Sequence, residues 1–493
     1  MRGRRDEPGL AARGGGGVSA RRLLVRGGRL IDPSQGLDGE HDLLIEDGVV
    51  ARILARGEEG GGSASGSGSI SDSGMGSDPG TRSSSYTGTD PGVRSSSRGG
   101  TDAGSDLEVL DAAGMVVCPG LIDIHVHLRE PGQEHKETVR TGTLAAAAGG
   151  FTAVACMANT EPVNDSRSVT EHILAEARRH GFARVYPIGA VSKRLAGEEL
   201  AEIGEMVRAG AVAVSDDGKP VMNAELMRRA LLYAQHFDIA VIQHAEDLNL
   251  SARGVMHEGD WSTRLGLAGI PGAAEDVMVA RDLLLLADTG GRYHVAHLST
   301  ARSLELVREA KRRGLGATCE VTPHHLLLTD EEVARTVFST QCKMKPPLRS
   351  ERDRQALLAG LADGTFDAIA SDHAPHHADE KDVEFDLAPF GILGLETTLA
   401  LCLDRLVRRE VISLSRLVEL LSTGPARVLG LPGGTLRPGS PADVTLFDPE
   451  GEITIEAARF LSRSRNTPFD GWQLRGRPAA TLVGGRQIEL PGR

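Results

Sequence analysis

Between residues 118 and 430 short apolar runs alternate with longer stretches of helical spacing. Eight runs read as strands: "LIDIHVHL", "FTAVACMAN", "RVYPIGAV", "AVAVSDDG", "IAVIQHAED", "YHVAHLST", "GATCEVTPHH" and "FDAIASDHAPH". Their alternation with helical stretches argues for parallel βα units. Between them, "VTEHILAEARRH", "AELMRRALLYAQHF", "MVARDLLLLADTG" and "ARSLELVREAKRRG" repeat apolar residues every three or four positions, which predicts amphipathic helices. Eight such units close a parallel (β/α)8 TIM barrel, an α/β fold.

Both ends of the chain return to short β-like pieces. "RLLVRGGRLIDP", "DLLIEDGVVARIL" and "LEVLDAAGMVVCPG" precede the barrel, and "ADVTLFDP", "GEITIE" and "AATLVGGRQIEL" follow it. They predict a small β-sandwich-like domain built from residues 21–117 and 431–493. Residues 1–20 are Arg/Gly-rich and 57–105 Gly/Ser-rich, with little to bury, so a disordered tail and a disordered insertion are expected there.

With 68 acidic against 55 basic residues the chain carries a net charge of -13 and would repel a phosphate backbone, so nucleic acid is not an expected partner. No run reaches the roughly 18 apolar residues of a membrane span, and the N-terminus lacks the apolar core of a signal peptide. A cytoplasmic protein is expected. Five scattered cysteines without CxxC spacing predict buried thiols rather than disulfides or a thiolate metal site.

The chemistry gathers at strand ends. Residues two apart on a strand share a face, so His125 and His127 project together from the C-terminal end of the first strand, the rim where barrel enzymes act. One HxH pair alone is more often a pair of satisfied structural histidines. Here Asp216 and Asp217 close the fourth run, His244 the fifth, His297 the sixth and Asp372 the eighth. Four imidazoles and two carboxylates exceed the ligands of one tetrahedral zinc. They suit two ions about 3.5–4 Å apart, sharing a carboxylate and a hydroxide, and nitrogen with carboxylate oxygen favours Zn2+. Either aspartate of the pair could be the bridge. Arg129, Asn159 and His376 add donors at the same rim, and a guanidinium fork suits a carboxylate-bearing substrate.

The motifs "GLIDIHVHLREPG", "MANTEPV", "SDDGKPV", "HAED", "HVAHLST", "KPPLR", "SDHAPH", "APFGILGLET" and "RNTPFDGWQLRGRPAATLVGGR" resemble the amidohydrolase superfamily and, within it, the bacterial class I dihydroorotases. The resemblance implies that His125, His127 and Asp372 bind one zinc and His244 and His297 the other. An aspartate of "SDDG" bridges them; Asp217, 27 residues before His244 as in relatives, is the choice and Asp216 the fallback. It assigns Arg129, Asn159 and His376 to the substrate's α-carboxylate, and backbone groups around Pro389 and Gly391 to the pyrimidine ring. Lys345 stands where relatives carry an asparagine expected to touch that ring.

The implied reaction is the reversible cyclisation of N-carbamoyl-L-aspartate to L-dihydroorotate in pyrimidine biosynthesis, with Asp372 carrying the proton. An aspartate bridge, where many amidohydrolases use a carboxylated lysine, separates the chain from allantoinases and hydantoinases. Its filled ligand positions separate it from relatives that serve only as scaffolds for aspartate transcarbamoylase. Association with aspartate transcarbamoylase and a homodimer are both compatible with the resemblance. His324 and His325 read as structural or ligand-orienting, and Glu130 and Glu246 as solvated or ion-paired.

Overall fold

The computed structural model describes residues 21–56 and 107–491; the readings of 1–20 and 57–105 lie outside the described residues. The eight apolar runs form one all-parallel sheet in chain order: β1 (Leu121–Val126), β2 (Phe151–Cys156), β3 (Arg184–Gly189), β4 (Ala213–Ser215), β5 (Ala240–Gln243), β6 (Arg292–Val295), β7 (Ala317–Val321) and β8 (Ala368–Ile369). The barrel closes through a parallel bridge between Val126 and His373, where the His127 backbone N–H donates to His373 O at 2.9 Å. Just below this seam the buried Asp123 carboxylate accepts from the Ser371 backbone N–H at 3.2 Å.

The predicted helices correspond to Arg167–His180, Ala224–Ala234, Ala273–Thr289 and Ala301–Arg312, the last three ending one to three residues before the predicted stretches do. Their starts follow local chemistry: Asn223 accepts from the backbone of Glu225 and Leu226, and Thr300 from that of Ser303, satisfying N–H groups the first turn leaves open. Their apolar faces meet the strands in one large cluster that includes Phe151, Val154, Val214, Val241, Val295 and Ile369. Each such side chain withdrawn from water contributes about 1.5–3 kcal/mol.

The β-pieces from both ends hydrogen-bond into a single sheet, in the order Arg486–Gln487, Gln473–Val483, Val444–Thr454, Val116–Pro119, Arg22–Asp32, Leu37–Glu46 and Val49–Ala55, with Leu107–Asp111 also pairing Arg22–Asp32. "ADVTLFDP" and "GEITIE", separate in sequence, are one strand with an irregularity between Asp448 and Glu452. The Asp448 carboxylate accepts from the Glu450 and Gly451 backbones and so folds the turn-like residues into the strand. Thr445 and Thr481 donate to Gly150 O and Ala147 O, and Arg184 of β3 grips Asp443 through two hydrogen bonds, fixing this sheet to the barrel. At the join Gly120 has no room for a side chain, since a Cβ would lie 2.1 Å from Thr152 Oγ1. All five cysteines are free and buried, and among the described residues no helix is long and apolar enough to cross a membrane.

Candidate metal and substrate site

Every strand in the barrel points its C-terminal end at one rim, and the ladder stops where the polar residues begin. His125 lies inside β1; His127, Asp217, His244, His297 and Asp372 lie one or two residues beyond β1, β4, β5, β6 and, for Asp372, three beyond β8. Leaving the ladder turns these side chains toward the barrel axis. His297 and Asp372 adopt left-handed backbone (φ 32° and 47°), as does Arg129 (φ 62°). Such conformations cost about 1–3 kcal/mol each for residues with a side chain and cluster where function demands them.

The six groups converge, all buried. Asp217 is central: Oδ1 is 3.5 Å from His125 Nε2, 3.4 Å from His244 Nδ1 and 3.5 Å from His297 Nε2, and Oδ2 is 3.5 Å from His127 Nε2. Asp372 Oδ1 lies 3.3 Å from His127 Nε2 and 3.6 Å from His125 Nε2. Asp216 points elsewhere, accepting from the Val191 and Ser192 backbones at 2.7 and 2.9 Å and from the Ser192 hydroxyl. Of the two aspartates, only Asp217 faces the cluster.

Whether these residues fit a metal is answered by their outer nitrogens. His125 Nδ1 donates to Glu320 at 2.6 Å, His127 Nδ1 to Asn159 Oδ1 at 2.9 Å and His244 Nε2 to Glu246 at 3.1 Å. Each of these rings therefore turns a lone pair inward, the arrangement that acceptors behind the ring impose on metal-bound imidazoles. His125 Nε2 and Asp217 Oδ1 are buried without a hydrogen-bond partner, and three groups of side chains place a ligand atom from each within 4.8 Å of the others. The donor set fits divalent metal. Burial opposes the Asp217 charge, but His125, His244 and His297 hold its carboxyl well below the usual range. His125 is lowered by burial yet pushed well above its ordinary value by Asp372, Asp217 and Glu320.

The expected substrate groups are placed less uniformly. Arg129 is buried, its pKa pulled down to about 10 by desolvation against the pull of Asp372 and Asp217, and its Nε donates to Pro375 O at 3.2 Å. No other hydrogen bond of this guanidinium is made among the described residues, so its terminal nitrogens are open to a ligand. Asn159 spends its carbonyl on His127, and its amide nitrogen is 3.4 Å from Asp217 O. His376, kept neutral by burial and the nearby Arg129, donates from Nε2 to Phe390 O at 2.9 Å, which leaves a lone pair on Nδ1. Donation from His376 to a carboxylate therefore requires release of that bond. Pro389 O accepts from Lys381 at 2.8 Å, Gly391 N–H donates to Lys343 O at 2.9 Å, and Gly391 O accepts from Asn466 at 3.0 Å.

Several residues were not picked out as functional by sequence reasoning. Glu320, mid-strand in β7, reaches His125, His294 (3.2 Å) and the His297 backbone (3.3 Å); its signal was a lone acid inside the apolar "ATCEV". Glu246, expected to be solvated or ion-paired, is buried and holds His244 while pairing with Lys345. Glu130 accepts from the Val139 backbone and so supports the start of the helix there. His325 is held by Thr322 at 2.7 Å and Pro346 O at 3.0 Å, while buried His324 has no partner at Nε2. A cavity of about 900 Å³ beside the N- and C-terminal sheet is lined by none of the ligand candidates.

The family model "Dihydro-orotase-like" matches residues 114–303. The chain is 52% identical to a dihydroorotase of Anaeromyxobacter dehalogenans strain 2CP-C over 96% of its own length and 98% of that protein. It is 51% identical to a dihydroorotase of Pelotomaculum thermopropionicum over 95% and 98%. Among solved structures, L-hydantoinase (dihydropyrimidinase) from Arthrobacter aurescens superposes with a TM-score of 0.76 at 25% identity, covering 96% of both chains. Dihydropyrimidinase from Brevibacillus agri gives 0.74 at 22% identity over 95% of both, a likeness of fold. With about half its residues shared over almost its whole length, the chain belongs to the dihydroorotase family of the amidohydrolase superfamily.

Proposed function

We propose that this chain is a dihydroorotase, opening L-dihydroorotate to N-carbamoyl-L-aspartate and closing it again, with two zinc ions at the barrel rim. The observation that carries the reading is Asp217, whose two oxygens face four imidazoles at 3.4–3.5 Å. His125, His127 and Asp372 would hold one ion, His244 and His297 the other, with Asp217 between them. Ions there would lower the pKa of a water and polarise the ring amide carbonyl.

The chain's own groups do the rest. Arg129 offers its open fork to the substrate carboxylate. Glu320, Asn159 and Glu246 fix the tautomers of His125, His127 and His244 by accepting their outer N–H groups. On opening, the Asp372 carboxylate takes the proton of the attacking water and delivers it to the ring nitrogen as the C–N bond breaks. Closure reverses these steps and takes up one proton overall, so lower pH favours synthesis and higher pH hydrolysis. The proposal extends to a cytoplasmic enzyme that associates with aspartate transcarbamoylase or a second copy of itself.

The test is steady-state turnover of L-dihydroorotate by purified protein after chelation, with and without added zinc, beside allantoin and hydantoin. Zinc should restore ring opening, and Asp372→Asn should lower kcat by about 10²–10⁴. Faster turnover of hydantoin or allantoin than of dihydroorotate would overturn the assignment.

A further inference from the structure

Lys345, where an asparagine was expected, does two things at once. Its ammonium lies 2.8 Å from Glu246 Oε1, and Glu246 Oε2 accepts from His244 Nε2 at 3.1 Å. It also sits 5.2 Å from the centroid of the Phe390 ring, within cation–π range. Phe390 lies between Pro389 and Gly391, and its carbonyl receives the His376 N–H. One cation thus touches the carboxylate that aims a proposed metal ligand and the loop expected to face the substrate ring.

Simple surface pairing does not describe this contact. The Lys345 side chain is 26% exposed, but its partner Glu246 is 7% exposed and, among the described residues, would otherwise pair only with His244. An exposed pair is worth little, whereas a buried carboxylate stripped of its cation is forced to move or find water. Asparagine could offer Glu246 a hydrogen bond but no charge, and would leave the Phe390 ring to Lys343 alone, whose Nζ lies 4.7 Å from its centroid.

We propose that Lys345 is a positioning residue that locks the His244 side of the metal centre to the Phe390 loop, so that metal retention and substrate binding are coupled through one side chain. For its substrate the proposal rests on the dihydroorotase reading; its geometry does not. The experiment compares wild type, Lys345→Met, Lys345→Arg, Glu246→Gln and the Met/Gln double variant, all zinc-loaded. Zinc release to a colorimetric chelator and KM and kcat for dihydroorotate are measured on each. Lys345→Met should release zinc about tenfold faster, the lower end of the effect of removing an outer-shell partner, and should raise KM. Lys345→Arg should restore both toward wild type even if the Met variant is less stable. The double variant should release zinc no faster than Glu246→Gln alone, since the two act in series. Unchanged zinc release with a raised KM would make Lys345 a direct substrate contact and overturn the proposal. Faster release with unchanged KM would overturn the coupling, as would additive effects in the double variant. Failure of wild type to turn over dihydroorotate would refute the assigned substrate while leaving the zinc-release comparison intact.

Discussion

Replacing Glu320 by glutamine removes one charge at nearly constant shape from a site 1% exposed. The carboxylate accepts from His125 Nδ1 at 2.6 Å, His294 Nε2 at 3.2 Å and the His297 backbone at 3.3 Å. Glutamine keeps an oxygen for His125, and its amide can face His294 if that ring moves its proton to Nδ1, where Thr318 Oγ1 waits at 2.8 Å. What is lost is chiefly the charged part of the short His125 bond. Hydrogen bonds to charged groups contribute about 1.5–3 kcal/mol, roughly twice a neutral one, so the charged part is worth about 0.75–1.5 kcal/mol, equivalent to about 3- to 12-fold in zinc affinity at 1.4 kcal/mol per decade. Outright deletion of an acceptor behind a metal-bound imidazole typically costs about 10- to 100-fold, so loss of the charge alone falls at or below the low end of that range. Competition against a chelator of known affinity measures it directly, and thermal unfolding of the metal-free protein reports the loss of the contact itself. Zinc affinity within about twofold of wild type, with turnover nonetheless reduced, would refute the idea that Glu320 acts by holding His125.

Two other outcomes follow from the loop around residues 340–391. Lys381 is buried against Thr340 O (2.9 Å) and Pro389 O (2.8 Å), and burial with help from Lys343 lowers its pKa to about 7. The unfolded chain holds that proton up to its ordinary value of 10.5, so between pH about 7 and 10.5 unfolding takes up a proton and stability rises with pH; thermal midpoints of wild type and Lys381→Met at pH 6–9 should therefore diverge in favour of wild type as pH rises, and parallel curves would contradict this. A Cβ at Gly391 would lie 2.6 Å from Ala374 O and 2.7 Å from His376 Cδ2, so Gly391→Ala should raise KM for dihydroorotate while leaving zinc content unchanged; a normal KM would show that the loop gives way freely.

The convergent cluster was legible because each member stands where an apolar run stops, and a barrel brings all such stops to one rim. His125 and His127 advertise themselves by spacing, while Asp217, His244, His297 and Asp372 do so by their place at run ends. What spacing leaves open is pairing across the chain. Asp216 and Asp217 are equivalent as text, and only the Val191–Ser192 turn, which takes up Asp216, separates them. Glu320 and His125 are 195 residues apart. The engagement of His376, Pro389 and Gly391 with neighbouring protein groups likewise depends on partners contributed by Lys343, Lys381 and Asn466. In the β-pieces, the return of strand-like text after residue 430 signalled a sheet shared by both ends, but not that two of the pieces are one continuous strand.

The seam at Val126 and His373 also joins two members of the cluster. His127 and Asp372 face each other across the junction of the first and last strands of the cylinder, so the residues up to 371 carry five of the six groups and lack the closing bridge. Sealing of the wall and completion of the six-group cluster thus depend on two neighbouring residues, Asp372 and His373.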